Sequence, residues 1–582
     1  MSIRPIEPRV WRPLIAWGWP VVFVTWLHVR FSPLGFVPTD DGYILAQAWR
    51  ILGGEVPHRD VVSPRPLGSA VLHLVDLLIP IPLFEASRLI FLVQVTTYSL
   101  LLAWLVYRQP PRTWNVFHVL GAGASILVNL HTFPMTAWHT TDGLTFVAGG
   151  LVLVDAAYRR DNSYMRWFGL ALLGTSVLMK QSFLAAPFLG LARSLWEQRG
   201  SSVGRLTRTV SVDGAFTVLP GLVYVGVVIL AGGLGEMVSQ VAGAAGKEWP
   251  IPVIDPARAD DGASLLLLLV AELVLVLMMS AARWGGRARR GPLEHVVAIV
   301  PRVLLTLLIV RVTLDDRLGF TGPWANRLLL MLIALLVARA LLERAFDAAG
   351  LAVVVMGVMI SLSFGYALPN LVAGTMALVM IHRVWAGTEL SATRQQRLVG
   401  TALTAGAAVL TVFVGGIFVG SREKIIYRDQ PEPGLTSPLR SVTAEFGRVR
   451  TNPTTARYLA ELRDCIERHP ARAVAVLPDN PGLYPALHLS NPFPVDWLLP
   501  LETGGAEQQI LAAARALASR GDYLVLFQTF PAGGTDGYQP ASAQSKPFFY
   551  DPVLGERLMN ELNGQRVTCG GFVGVYAPVN SR

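Results

Sequence analysis

Two carboxylates stand side by side at Asp40 and Asp41, in FVPTDDGYILAQAWRILGG, directly after the first long apolar run of the chain. A carboxylate at the edge of an apolar segment has three uses. It can draw a proton from a hydroxyl as general base, hold a cation that neutralises phosphate, or satisfy the free N–H groups that open a helix. Capping accounts readily for one of the pair, but a second charge beside lipid is costly unless it is solvated or employed. The same loop carries His58-Arg59-Asp60 and Ser63-Pro64-Arg65-Pro66, polar groups that either contact a substrate or form a solvated turn stiffened by prolines. Lys180 and Gln181 fall in a turn between two short apolar segments. An ammonium there is expensive unless it snorkels to the headgroups or meets an anion such as phosphate.

Weaker candidates follow. His131, His139 and Asp142 flank one short loop, HTFPMTAWHTTDG, where they could touch a substrate, assist proton transfer or simply be solvated. Arg317 and Arg327 bracket DDRLGFTGPWANR as further anion ligands, with Asp315 and Asp316 at hand to neutralise them. Tyr366, in SFGYALPN, either stacks on a ring or anchors the membrane interface. Gly-rich phosphate loops, nucleophile elbows and His-Glu metal helices are missing from the sequence, and two cysteines do not make a Cys/His metal site.

The elements that must position these groups are set by composition. Of 582 residues, 52% are hydrophobic and 15% charged, against about 25% charged in soluble proteins. The formal charge is 49 − 40 = +9, but residues 421–582 hold 16 basic and 16 acidic side chains, so the excess belongs to residues 1–420. There it recurs as short clusters between apolar runs, the habit of cytoplasmic loops in a polytopic membrane protein and not of a nucleic-acid surface. Thirteen segments approach the roughly 20 residues a bilayer requires: 14–31, 88–107, 114–130, 143–158, 166–179, 182–196, 213–231, 263–283, 292–313, 326–343, 348–363, 370–386 and 399–420. Arginine clusters at 108–112, 159–166, 193–208, 283–290, 339–344 and 383–397 then all fall on one side. The first span is expected to be uncleaved with its N-terminus inside, which puts the C-terminal region outside. Residues 66–80, PLGSAVLHLVDLLIP, would invert every later loop if counted as a span, so they are expected to lie in the outer interface or dip into the membrane under cover of protein.

The expected architecture is therefore a mostly α polytopic membrane bundle, residues 1–420, with an outer loop 32–87 carrying interfacial helices, followed by a soluble α/β domain, residues 421–582. In the loop, Ile44, Leu45, Ala48, Ile51 and Leu52 share one helical face suited to lying on the membrane, capped by Thr39 and the aspartates. In the C-terminal region, helices around 454–463 and 505–519 alternate with strands at 473–478, 522–528 and 570–577. Cys465 and Cys569 could pair there.

A span, an acidic pair opening an interfacial helix, then Gly53-Gly54, Pro57, Arg59-Asp60 and a proline-rich entry into a second interfacial helix resemble the polytopic glycosyltransferases of the GT-C fold, in the layout of their arabinose-, aminoarabinose- and mannose-transferring members. The resemblance covers the membrane part, most strongly residues 36–110. It implies a polyprenyl-phosphate sugar donor, an extracytoplasmic glycan, lipid or protein acceptor, and a cell-membrane location with the C-terminal domain outside. The family's acidic residue after the first span is its candidate catalytic base, a role that falls on Asp40 or Asp41; the family's common Asp-Glu is Asp-Asp here, which leaves open which one acts. Lys180, Arg317 and Arg327 become donor-phosphate ligands. Arg59, Asp60, Arg65, His139, Asp142, Gln181 and Tyr366 become substrate contacts, with a divalent cation as a possible cofactor. A transporter or flippase of lipid-linked saccharides is the alternative.

Overall fold

The computed structural model describes residues 11–130, 134–245, 262–284, 292–314, 324–344, 346–364, 369–385, 394–531, 538–542 and 544–578. His131, Asp315, Asp316, Arg317, Tyr366 and most of the loop 232–262 lie outside the described residues.

The chain is mostly helical. It begins with α1 (Trp11–Phe31), α2 (Tyr43–Leu52), the short pair α3 (Gly68–Leu72) and α4 (Leu74–Leu78), then α5 (Leu83–Tyr107), α6 (Val116–Leu130), α7 (His139–Arg160), α8 (Ser163–Met179) and α9 (Ala185–Gln198). It continues through α10 (Val203–Leu230), α11 (Leu234–Ala245), α12 (Gly262–Trp284), α13 (Pro292–Thr313), α14 (Trp324–Glu343), α15 (Ala348–Phe364), α16 (Ala373–Trp385) and α17 (Arg394–Lys424). Each of the thirteen apolar segments falls on one of these helices. Among the described residues, four of them, α5, α7, α10 and α14, are by length and composition long and apolar enough to cross a membrane. Helices α7 and α8 approach closely because Gly150 and Gly169 face each other; a Cβ on Gly150 would stand 2.7 Å from the Gly169 carbonyl. In the buried middle of the bundle Asn129 donates to Ser99 and Thr375 and accepts from the Gly374 N–H, joining α5, α6 and α16 without leaving its amide unpaired.

Residues 66–80 are broken at His73 into α3 and α4, which pack on α2, α5 and α8. Val71, Val75 and Leu78 face outward while His73 and Asp76 are buried, and the expected single helix is two short ones.

Two expectations about α2 are corrected. The helix does not lie with one bare face on a membrane: Tyr43 to Ala48 and Arg50 are all buried, because the C-terminal region covers the other side. Nor do Thr39 or the aspartates cap it. Its N-cap is Gly42, at φ +90°, with no side-chain capping bond. The turn is pressed so closely against Gly482 that a Cβ on Gly42 would meet the Gly482 Cα at 2.3 Å. Only glycine combines that backbone angle with that approach.

The C-terminal region contributes β1 (Ser437–Pro438), β2 (Arg450–Thr451), α18 (Pro453–Arg468), β3 (Ala473–Leu477), α19 (Leu483–Ala486), α20 (Pro500–Thr503), α21 (Glu507–Arg520), β4 (Tyr523–Gln528), α22 (Pro552–Glu561), β5 (Gln565–Cys569) and β6 (Phe572–Ala577). Four strands form a sheet in the order β3-β4-β6-β5, with β3 parallel to β4 and the other pairs antiparallel. One face packs on α18 through Val474, Val476, Leu524 and Leu526; the other packs on α21 and α22 through Ala473, Ala475, Tyr523 and Val525. Burial on both faces explains the unbroken apolar runs AVAVL and YLVLF. A disulfide joins Cys465 of α18 to Cys569 of β5. The α18 core does not stop at the region's edge: Phe36, Tyr43, Ile44, Leu45 and Phe84 from the membrane part belong to it.

Candidate functional site

The loop 32–42 is held by a buried guanidinium. Arg88, on α5, donates to the Ser32 and Gly35 carbonyls and, at 3.3 Å, to Asp41 Oδ2. The same Asp41 oxygen accepts the Val37 N–H at 2.9 Å. Burial raises the proton affinity of Asp41, and Arg88 and the Val37 N–H work against that rise. Asp41 is thus engaged by the scaffold. A cavity of about 30 Å³, room for a water, lies beside it, lined by Asp41, Arg88, Met135, Arg422 and Tyr427.

Asp40 is placed differently. Its Oδ2 accepts from Arg428 at 3.0 Å and from the Thr39 hydroxyl at 3.3 Å. The carboxylate is buried, but its partner's side chain is 44% exposed. Burial pushes the Asp40 pKa up, Arg428 opposes the shift, and the Asp41 charge adds to it. The result is a carboxylate with raised basicity under a cover that solvent reaches, the condition a general base near neutrality requires.

From the C-terminal side, Asp479 follows β3 and its charge is coupled to that of Asp40. Asp479 Oδ2 accepts from Gln528 Nε2 at 2.8 Å and from the Tyr550 hydroxyl at 3.1 Å. Asp479 is a site residue that spacing along the chain did not single out. The Pro-Asp-Asn turn directly after an apolar strand was the available signal.

A second cluster begins at the first residue of α2. Tyr43 donates to Glu502 Oε2 at 2.8 Å, and Arg65 meets both Glu502 oxygens at 2.7 and 2.6 Å. The Tyr43 ring packs against Trp497 and His139, with centroids 5.5 and 6.3 Å away. Lys180, the residue after α8, is half-buried and donates to the Ser363 carbonyl. Burial, with Arg65 adding to it, pulls its pKa well below the ordinary lysine value, and Glu502 opposes. Gln181 donates to the Pro64 carbonyl at 3.2 Å. Arg65, His139, Lys180 and Gln181 are therefore brought together, and Glu502 is the partner that spacing along the chain did not announce.

Four candidates are placed separately. Arg59 and Asp60 neutralise each other at 2.7 Å, Arg59 is exposed, and Asp60 also accepts the Val56 N–H. They form a turn away from Asp40. Asp142 is fully buried and accepts from His73 Nε2 at 3.1 Å and Gln94 Nε2 at 2.8 Å. His73 Nδ1 meets Asp76 at 2.9 Å, so both ring nitrogens face carboxylates. Burial alone would push the His73 pKa down, but Asp142 and Asp76 raise it to about 10. This is an internal ion cluster joining α3 and α4 to α5 and α7. Arg327 lies in the first turn of α14.

Among the described residues, the one group of three His, Cys or acidic side chains close enough to share a metal ion is Cys465, His469 and Cys569, whose sulfurs form the disulfide. A cavity of about 390 Å³ opens between Trp49, the stretch Asp76–Leu83, and Glu445, Pro485 and His488. No family model matches the chain, and no curated protein matches it.

Proposed function

We propose that this chain is an integral-membrane glycosyltransferase that moves one monosaccharide from a polyprenyl-phosphate donor to an extracytoplasmic glycan, lipid or protein acceptor. The observation that carries the reading is the pairing of a buried, exchangeably covered carboxylate, Asp40, with a cluster whose cations, Arg65 and Lys180, outnumber its one carboxylate, Glu502. In this mechanism Asp40 takes the proton of the acceptor hydroxyl as that oxygen attacks the anomeric carbon. The bond from that carbon to the phosphate oxygen breaks, and Lys180 and Arg65 receive the charge of the departing lipid phosphate. A phosphate beside Lys180 restores the ammonium form that burial disfavours. Asp41 holds the loop. The thirteen apolar helices then act as thirteen spans, with the N-terminus cytoplasmic and residues 421–582 outside, in the cell membrane; a divalent cation is not needed for these steps.

The experiment is transfer of radiolabelled sugar from a lipid-linked donor extract to an envelope acceptor fraction by the purified protein. Asp40→Asn is expected to abolish transfer with the fold retained, while Asp41→Asn loses activity only as far as it loses folded protein. Full activity of D40N refutes the assignment. Glu272, buried in α12 with no partner for either oxygen among the described residues, favours the second reading, a transporter or flippase of lipid-linked saccharides. That reading predicts movement of donor between leaflets and no glycosylated product.

A further inference from the structure

The cavity of about 390 Å³ beside α2 takes part in none of the steps above. Its volume falls in the range of about 300–1,000 Å³ that small-ligand sites occupy. Three separate parts of the chain wall it: Trp49 of α2, the stretch from Asp76 to Leu83 that leads into α5, and Ala444, Glu445, Pro485 and His488 of the C-terminal region. One part of the wall is apolar. The Trp49 and His488 rings stand with centroids 5.5 Å apart, and the turn Ile79-Pro80-Ile81-Pro82 continues their surface. The Trp49 indole N–H is taken up by the Leu489 carbonyl at 3.0 Å, so this residue has its ring to offer a ligand and not its donor. The polar part is acidic. Glu445 Oε2 accepts the Leu83 N–H at 3.0 Å, and no cation pairs with this carboxylate among the described residues. Asp76 gives Oδ2 to His73, and its Oδ1 is buried with no partner among the described residues. Among the described residues no lysine or arginine lines the cavity.

That composition selects a ligand. A phosphate would meet carboxylate and no cation to receive it. A saccharide ring suits both parts of the wall, because its C–H faces pack on aromatic and proline surface while its hydroxyls donate to a carboxylate. Position adds a second constraint. Trp49 stands six residues beyond Tyr43, about 9 Å along α2, so a sugar in the cavity is not the unit that reacts at Asp40. We propose that this cavity is an acceptor subsite, taking a neutral saccharide unit remote from the reacting hydroxyl, with its ring against Trp49 and His488 and its hydroxyls on Glu445. The proposal rests on the glycosyltransferase reading for the ligand's being part of the acceptor. It narrows that acceptor to one that carries a saccharide beyond the reacting unit, and it excludes the charged lipid donor from the cavity.

The test uses the full-length protein in detergent with two probes, tritiated neutral oligosaccharides released from the envelope acceptor fraction by mild acid and tritiated polyprenyl-phosphate sugar, together with the transfer assay. Ala444 is exposed at the rim, so Ala444→Trp fills the cavity without entering the core. Glu445→Gln keeps an oxygen for the Leu83 N–H and removes the charge. Folding is checked by melting temperature and by retention of the disulfide. A444W is expected to weaken retention of the oligosaccharides about tenfold or more, and E445Q about tenfold, the loss of one charge-assisted hydrogen bond. Retention of the donor stays at the wild-type level in both. In transfer, the KM for the oligosaccharides rises by the same factors, while the donor KM and the KM for a single-sugar acceptor hold. Folded variants that retain and use the oligosaccharides as the wild type does would overturn the subsite. A fall in donor retention in A444W would overturn it too, since the cavity would then hold the donor. If A444W does not fold, E445Q decides on the same readouts. Oligosaccharide retention lost in the variants, with no transfer even by the wild type, would uphold a saccharide site and refute the glycosyltransferase reading.

Discussion

Two buried carboxylate clusters lie under the outer loop, and they differ in what covers them. His73 is fully buried between Asp76 and Asp142, with Gln94 on the second aspartate, and every member is held by a helix of the bundle. Asp40 is also buried, but its cation is the half-exposed Arg428. The contrast teaches that burial of charge alone does not mark a working site. A charge cluster whose partners are themselves buried serves to join elements. One whose partner reaches solvent can exchange that partner for a substrate.

The largest expected effect breaks the joined cluster. His73→Leu leaves two carboxylates buried without their cation, which costs about 3–5 kcal/mol, and the melting temperature in detergent should fall steeply or folded protein be lost. A stable H73L protein would show that the aspartates are accommodated some other way and would erase the contrast. Next comes Asp40→Asn. Loss of a general base predicts a transfer rate lower by about 10²–10⁴-fold, with a melting temperature equal to or above wild type because a desolvated charge has been removed.

The pH dependence of stability separates the clusters further. His73 is raised from 6.5 to about 10 on folding, so its stabilising contribution is complete below about 6.5 and is lost as pH rises through 10. Asp479 is raised from 3.8 to about 7, so folding favours its protonated form and its contribution fades earlier, between about 4 and 7. Melting curves from pH 4 to 10 should decline in two steps, and H73L should lack the upper one. Arg428→Gln is a smaller perturbation. The pair is buried on the Asp40 side and open on the Arg428 side, so the melting temperature should fall by less than in H73L, while the acid limb of the transfer profile shifts to higher pH because Arg428 keeps the Asp40 pKa down. Smallest of all, Arg59→Ala should leave stability within about 0.5 kcal/mol and transfer unchanged; a large loss there would return the Arg59-Asp60 turn to the site.

What the sequence made legible was local. Hydropathy alone located a helix at each of the thirteen apolar segments, and the acidic pair after the first apolar run was visible as a pair, but the break at His73 in 66–80 was not. The roles within the pair were not, because they depend on partners that spacing does not encode. Arg428 lies 388 residues from Asp40, and Glu502 lies 437 residues from Arg65. Arg59 and Asp60 looked like substrate contacts for the opposite reason: their sequence adjacency is itself the interaction, and it consumes both charges. The amphipathic pattern of α2 was read as a face for lipid, whereas the polar side of that helix, Gln47 and Arg50 included, is covered by the C-terminal region.

The contact between Gly42 and Gly482 has a consequence for timing. The loop 32–87 is synthesised before the segment that closes over it. Until residues 478–502 emerge and dock, Asp40 lacks Asp479 and Arg65 lacks Glu502. On the proposed function, the site is complete only once the C-terminal region has docked on that loop.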